Sequence, residues 1–262
     1  MQMERTFIFR GNASGVAAHI RRPDDEVVPV QAASSLPVIG GLSESTAEGR
    51  KFKYLSLESA YTRAHGDFDD TQAAIDITWQ KRAPGSVPTT TTVISEVKGL
   101  TLLNSVRIDR IRAEMVARSA KRGEQTSITP RGSVIEGLRI EGAELVVTLN
   151  DEFFCKYDTK AKLDKVMDAG QRSAAHHCFQ ESDGIIYATL VEELHWADKQ
   201  PEGVTFERNV VTIPDFGKLY LGEVFITDTS RRVTMIRADL GSPTGGKATA
   251  GSIETNGSSW PA

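Results

Sequence analysis

Two short stretches of the sequence hold most of the side chains that could do chemistry. His176, His177 and Cys178 are consecutive, and Glu193 and His195 follow them along the chain. Imidazole, thiolate and carboxylate groups are all ligands for a zinc-like ion. If Glu193 and His195 lie on one strand, they point to the same face. We therefore take His176, His177, Glu193 and His195 as candidates for acid–base catalysis or ligand binding, and His177, Glu193 and His195 as candidate metal ligands.

The plainer alternative is that these residues share no function. Adjacent histidines point in different directions on any regular element, and the spacing matches no H-E-x-x-H or other known metal motif. In that case the two histidines lie in a surface loop, and Glu193 and His195 lie on a half-buried strand.

A second group of carboxylates lies at Asp67, Asp69 and Asp70. Calcium prefers such oxygen ligands, which makes Asp67 and Asp69 candidate metal ligands in a loop. The closing glutamate and the central glycine of an EF-hand loop are absent, and a solvated turn accounts for the same residues.

The two cysteines give little support to a nucleophile. Cys155 follows Phe153 and Phe154, and an apolar setting raises a thiol pKa and makes the group inert. Cys178 is next to His177 in sequence only, which does not imply a hydrogen bond between them. The sequence leaves their pairing open, although free thiols are expected inside a cell. There is no phosphate-binding loop and no nucleophile elbow, so no motif requires a cofactor.

The composition is that of an ordinary globular protein. The 262 residues include 31 Lys and Arg against 35 Asp and Glu, a net charge of −4. This mild acidity gives no electrostatic reason to expect a nucleic-acid partner. The sequence shows no signal peptide, and no apolar run approaches the ~20 residues needed to span a bilayer. We therefore expect a cytoplasmic protein without a membrane span.

Most of the chain is predicted to form β-strands. β-Branched residues dominate 89–97, and further strands are predicted over 184–195, 204–213, 218–228 and 231–240. A turn between the last two predicts a hairpin.

One helix is predicted within this β-rich chain, near 158–171. Thr159 can cap its start, and Leu163, Val166 and Met167 give it one apolar side.

One pattern occurs twice in the centre of the chain. The segments 97–102 and 135–140 share the order β-branched, charged, Gly, Leu, polar, aliphatic, which predicts equivalent strand corners. Between them, the segment 106–118 fits either a helix, through Ile108 and Ile111, or a strand with a one-residue slip. We favour a strand with a bulge.

A series of short strand motifs follows a recognisable order: 99–102, 137–142, 213–219, 221–224, 232–237 and 248–252. This series resembles that of the bacterial choice-of-anchor P proteins, which are β-rich and mostly exported to the cell surface. The resemblance implies a β fold and surface export, and it implies no catalytic residue. The charged helical stretch and the missing export signal depart from that pattern.

The predicted fold is mainly antiparallel β, a sandwich or barrel-like body with one inserted α-helix. We expect one domain over 1–240, followed by a Gly/Ser/Thr-rich tail over 241–262. The lack of a catalytic motif favours a non-enzymatic structural or binding protein, which assembles as a homo-oligomer or with a protein partner through sheet edges or apolar patches. The alternative is a small-ligand binder or an enzyme whose pocket uses the histidine and glutamate candidates.

Overall fold

The described parts of the chain fold into eighteen β-strands and two short α-helices. The computed structural model describes residues 7–69, 88–119, 125–170 and 176–256. The first ten strands are β1 (Gly11–Arg22), β2 (Glu26–Ser35), β3 (Gly41–Lys51), β4 (Leu55–Phe68), β5 (Thr89–Leu102), β6 (Val106–Ser119), β7 (Ser127–Pro130), β8 (Val134–Glu136), β9 (Arg139–Ile140) and β10 (Ala143–Leu149). The helices α1 (Asp151–Lys156) and α2 (Lys160–Asp168) follow. The remaining strands are β11 (Cys178–Ser182), β12 (Ile185–Thr189), β13 (Val191–Trp196), β14 (Thr205–Glu207), β15 (Val210–Ile213), β16 (Gly217–Ile226), β17 (Ser230–Leu240) and β18 (Gly245–Asn256).

The described strands form two antiparallel sheets of nine strands each. Sheet I has the order β11-β12-β16-β17-β18-β1-β2, and β15 joins it beside β16 with β14 as its hairpin partner. Sheet II has the order β13-β10-β9-β6-β5-β4-β3, with β7 and β8 also paired to β6. The sheets pack face to face over one large apolar core. The predicted mainly-β sandwich is therefore confirmed.

Small residues let the two sheets approach each other closely. A Cβ atom at Gly15 of sheet I would lie 2.9 Å from the Cβ of Ala60 in sheet II. A Cβ atom at Gly251 would lie 2.8 Å from Cγ2 of Ile111. Since both distances are below normal carbon contacts, sheet I needs glycine at these positions.

The two copies of the sequence repeat place a glycine at equivalent strand kinks in sheet II. Gly99 and Gly137 have φ angles of 61° and 62°, a region that glycine adopts without strain. Along β5 the buried side of the strand changes at Gly99, from Val97 before it to Leu100 after it. β6 changes its buried side at the facing residue Asp109, so the strand pair keeps its register. The segment 106–118 is a strand, as predicted. The predicted bulge is absent: β6 changes its buried side at a kink that lies opposite the kink of β5, and no residue is left unpaired as an extra.

The predicted strand over 184–195 consists of two strands in different sheets. β12 belongs to sheet I and β13 to sheet II, and Leu190 lies between them. The Leu190 N–H donates to the carbonyl oxygen of Gly222 at 2.8 Å, and its carbonyl oxygen accepts from the N–H of Asn150 at 2.8 Å. This residue therefore connects β16 of sheet I with Asn150, the residue directly after β10 of sheet II, through its backbone.

The predicted tail is wrong for residues 245–256, which form β18 in the middle of sheet I. β18 lies between β17 and β1, and Ala248, Ala250 and Ile253 are buried. The sequence did not indicate this strand for two reasons. Alanines are only weakly hydrophobic, and the alternation of buried and exposed side chains is interrupted next to Gly251, where the buried side of the strand changes. The β16–β17 hairpin is present as predicted.

The predicted helix is α2, and a second helix, α1, directly precedes it. Thr159 caps α2 by accepting a hydrogen bond from the N–H of Lys162, and Leu163 is buried. Asn150 caps α1 in the same way, through the N–H of Phe153. Within the described ranges, no helix is long and apolar enough to cross a lipid bilayer.

Candidate functional site

His176, His177 and Glu192 form a cluster where the chain crosses between the sheets. One ring nitrogen of each histidine and one carboxylate oxygen of Glu192 lie within 4.8 Å of one another. The histidines immediately precede β11 at the edge of sheet I, and Glu192 lies on β13 at the edge of sheet II. Because Leu190 ties these two edges together, the crossing fixes the distance between the histidines and the carboxylate.

His177 is the buried member of the cluster, with 2% of its side chain exposed. Its Nδ1 lies 3.0 Å from the carbonyl oxygen of Thr189, and its Nε2 lies 3.0 Å from Oε2 of Glu192. The rings of Phe153 and Phe154 pack against it, with centroids 4.5 and 5.8 Å away. Burial lowers the pKa of His177, and it outweighs the hydrogen bond to Thr189 and the charge of Glu192, which raise the pKa.

Glu192 and His176 are oriented by contacts with Asn150 and with the backbone. Oε2 of Glu192 accepts a hydrogen bond from Nδ2 of Asn150 at 2.8 Å. This hydrogen bond and the two neighbouring histidines lower the pKa of Glu192. Nε2 of His176 lies 2.9 Å from the backbone carbonyl oxygen of Glu192, and the ring is perpendicular to that of His177. The residue that caps α1 therefore also orients the carboxylate of the cluster.

The structure corrects two of the predicted site residues. The register of β13 against β10 shifts between Thr148 and Leu149, which makes Glu192 the extra residue of a β-bulge. The bulge directs Glu192 to the histidines. Glu193 and His195 are exposed on β13 and lie outside the cluster. The prediction missed Glu192 because it assumed that side chains alternate strictly between the two faces of β13. The only hint in the sequence was that Glu192 is a second carboxylate, next to Glu193.

The predicted calcium ligands Asp67 and Asp69 each accept a hydrogen bond from a nearby residue. Asp67 belongs to β4 and not to a loop, and its Oδ1 accepts a hydrogen bond from the N–H of Phe68 at 2.7 Å. Asp69 accepts one from the hydroxyl of Thr90 at 2.6 Å. Asp70 lies outside the described residues. In the described part of the chain, the His176, His177 and Glu192 cluster is the one group of three with ligand atoms at metal-binding separation.

Both cysteines are free thiols. Burial raises the pKa of Cys178 to about 11. Burial also raises the pKa of Cys155, whose thiol donates to the carbonyl oxygen of Pro130 at 3.3 Å. Neither group is a reactive thiolate at neutral pH.

A buried arginine supports α1 beneath the cluster. The guanidinium of Arg231 on β17 donates to the carbonyl oxygens of Tyr157 at 2.7 Å and Phe154 at 3.5 Å. These carbonyls belong to the C-terminal end of α1, where a cation is favourable. Burial lowers the pKa of Arg231 to about 10. Arg231 thereby holds the helix that packs Phe153 and Phe154 against His177.

A second surface of interest lies where both sheets end. We call it the edge surface, and its large apolar side chains are all exposed: Val27, Val30, Val38, Ile39 and Leu42. Among the described strands, β2 is the last of sheet I and β3 is the last of sheet II, and the turn between them carries Val38 and Ile39. Ile39 is 85% exposed, an unusual position for such a residue.

These features define an antiparallel β-sandwich protein with a histidine–glutamate cluster at the crossing between its sheets. The chain matches one protein-family model over residues 7–178 and belongs to that family, which is described as a domain of unknown function (DUF8256). The matched region includes His176 and His177 and ends before Glu192. Comparisons with curated proteins and with solved structures found no match. The resemblance to choice-of-anchor P proteins stays a prediction.

Proposed function

We propose that this chain is a structural protein that assembles with copies of itself through the edge surface. One observation carries the proposal. Five of the seven exposed large apolar side chains among the described residues lie between Val27 and Leu42. Three of the five, Val38, Ile39 and Leu42, are near neighbours along the turn and the start of β3, and exposed apolar groups that gather in this way mark interaction sites, whereas scattered ones are normal.

β3 is the strand that best fits pairing with another chain. Among the described residues it pairs only with β4, so its other side offers free N–H and C=O groups. β2 is less suitable, because it contains Pro29 and its register against β1 shifts. Proline and strand irregularities are devices that protect an edge from pairing.

The charges on β3 fit a second copy of the same strand. An antiparallel pair related by a twofold axis at Ala47 places Glu44 of one copy opposite Arg50 of the other, and the symmetry repeats this contact. Opposite charges at facing positions stabilise strand pairs, and like charges destabilise them.

Light scattering during size-exclusion chromatography tests the assembly. We expect the mass of the wild-type chain to rise above that of a monomer as concentration increases. Val30→Lys and Ile39→Lys should each weaken association, because a charge would be buried in the contact. Phe206→Lys is the matched control, since Phe206 is exposed on β14 and lies outside the edge surface. A wild-type chain that stays monomeric at every concentration refutes the proposal.

A charge exchange tests the pairing of β3. Arg50→Glu should weaken association by placing two acidic groups opposite each other, and adding Glu44→Arg should restore it. If the double variant stays as weak as the single one, the antiparallel pairing at Ala47 is wrong.

We also propose that the protein works in the cytoplasm. Its two free thiols support this location, because thiols persist in reducing compartments. Labelling of intact cells with an antibody against the folded protein checks the proposal, and a surface signal would contradict it.

A further inference from the structure

We propose that His176, His177 and Glu192 bind one divalent transition-metal ion. This inference is independent of the assembly through the edge surface, which involves the strands at the other end of both sheets. It rests on the geometry of the three side chains and of the groups that orient them.

The hydrogen bonds of His177 assign its two nitrogens. The carbonyl oxygen of Thr189 can only accept, so Nδ1, 3.0 Å away, carries a hydrogen. In the neutral ring, Nε2 therefore carries the lone pair. That lone pair faces Oε2 of Glu192 at 3.0 Å, and a carboxylate oxygen is also an acceptor. A cation bound by both atoms turns this contact between two acceptors into a favourable one.

The spacing of these two atoms suits a shared ion. Typical metal–nitrogen and metal–oxygen distances are about 2.1 Å, so two ligands of one ion are separated by roughly 3.0 Å at an angle of 90° and by roughly 3.4 Å at the tetrahedral angle. The Nε2 of His177 and the Oε2 of Glu192 are 3.0 Å apart. One ring nitrogen of His176 lies within 4.8 Å of a ligand atom of each of the other two residues, and the ring is exposed. One ion can therefore contact all three groups.

Each of the three side chains is also oriented by a contact with a group outside the proposed ligand atoms. His177 is oriented by Thr189, His176 by the backbone carbonyl of Glu192, and the Glu192 carboxylate by Asn150. Histidines that bind metals usually donate their other N–H to a carbonyl or a carboxylate, which fixes the tautomer. His177 has this arrangement, with Nδ1 at the carbonyl oxygen of Thr189 and Nε2 at the carboxylate of Glu192.

The ligand types indicate which ions fit. Two imidazoles and one carboxylate suit zinc and the neighbouring first-row metals, whereas calcium and magnesium prefer oxygen ligands alone. Three protein ligands leave at least one coordination position for water. His176 is exposed, so solvent reaches that side of the cluster.

Metal titration of the tag-free full chain tests the site. After removal of metals with a chelator, Zn²⁺ binding is measured by calorimetry and Co²⁺ binding by its visible absorption. We expect one ion per chain. Glu192→Gln should weaken binding by roughly 100-fold or more, because it removes a ligand charge. Glu192 is 46% exposed, so this variant should fold, and circular dichroism verifies that it does.

Two neighbouring residues supply matched controls. Glu193→Gln and His195→Gln change the same residue types on the same strand but outside the cluster, and both should bind as the wild type does. His176→Ala should lose affinity as Glu192→Gln does. Absence of stoichiometric binding, or equal affinity in Glu192→Gln and wild type, overturns the proposal. The contact between His177 and Glu192 is then a proton-mediated ion pair.

Discussion

Gly99→Ala is expected to destabilise the fold through the strand kink of sheet II. An alanine at φ 61° would occupy the left-handed region, which costs about 1–2 kcal/mol for a residue with a Cβ. The new Cβ would also lie 2.3 Å from Cγ of Glu58 on β4. Moving the Glu58 side chain off its rotamer adds about 1 kcal/mol. The free energy of unfolding should therefore fall by about 2–3 kcal/mol.

Gly49 supplies the matched control for this prediction. It lies at φ 56° on β3, but nothing lies within 4 Å of a Cβ built there. Gly49→Ala should thus cost only the backbone strain of about 1–2 kcal/mol. Adding Glu58→Ala to Gly99→Ala should bring its loss down to the Gly49→Ala level. Urea unfolding monitored by circular dichroism measures the free energy of unfolding of the wild type, of the two single glycine variants and of the double variant.

Two results would refute this reasoning. Equal losses in Gly49→Ala and Gly99→Ala, unchanged by Glu58→Ala, would show that the Glu58 contact has no energetic effect. Losses near zero in both variants would show that the kinks do not require glycine.

Three further predictions concern a helix cap, a thiol and an ion pair. Thr159→Ala should lower the free energy of unfolding by about 1 kcal/mol, because the N–H of Lys162 loses its acceptor; urea unfolding measures this, and an unchanged midpoint contradicts it. Cys178, with a pKa raised to about 11 by burial, should react with a thiol reagent at neutral pH only after denaturation, and mass spectrometry showing rapid labelling of the folded protein would contradict this. For Glu96, burial raises the pKa, but hydrogen bonds with Arg112, Lys98 and Arg110 lower it by more, so the net shift is downward. The ion pairs therefore stabilise the fold above the unfolded-state pKa, and this stabilisation is lost as the pH falls through the folded-state pKa. Glu96→Gln should cost about 1 kcal/mol at neutral pH and little in acid, and a loss of equal size at both pH values in urea unfolding would contradict it.

Much of the fold could be predicted from local patterns. Alternation and β-branched residues indicated most strands, and Thr159 with Leu163 indicated α2. These signals are local, because each reflects one face of one element. The repeat around Gly99 and Gly137 indicated two equivalent kinks for the same reason: glycine is needed where φ is positive.

The rest depends on contacts between distant parts of the chain. The sequence does not reveal that the chain crosses between the sheets at Leu190, because β12 and β13 continue the same apolar pattern although they belong to different sheets. The bulge at Glu192 arises from its pairing with β10, which the sequence of β13 alone does not reveal. The histidines could thus be selected as candidates, but the carboxylate beside them could not be told apart from Glu193. The strand β18 was missed because alanines fill its inner face.

The position of β18 has a consequence for synthesis on the ribosome. Thr255 at the end of β18 donates a hydrogen bond to the carbonyl oxygen of Arg10, 245 positions earlier in the chain. The β1–β2 hairpin emerges before the other described strands of sheet I, and the side of β1 that pairs with β18 stays unpaired until translation passes residue 256. A chain that stalls before β18 leaves that strand open to pairing with other nascent chains. Chaperone capture of such intermediates is expected to persist until the last strand of sheet I is inserted.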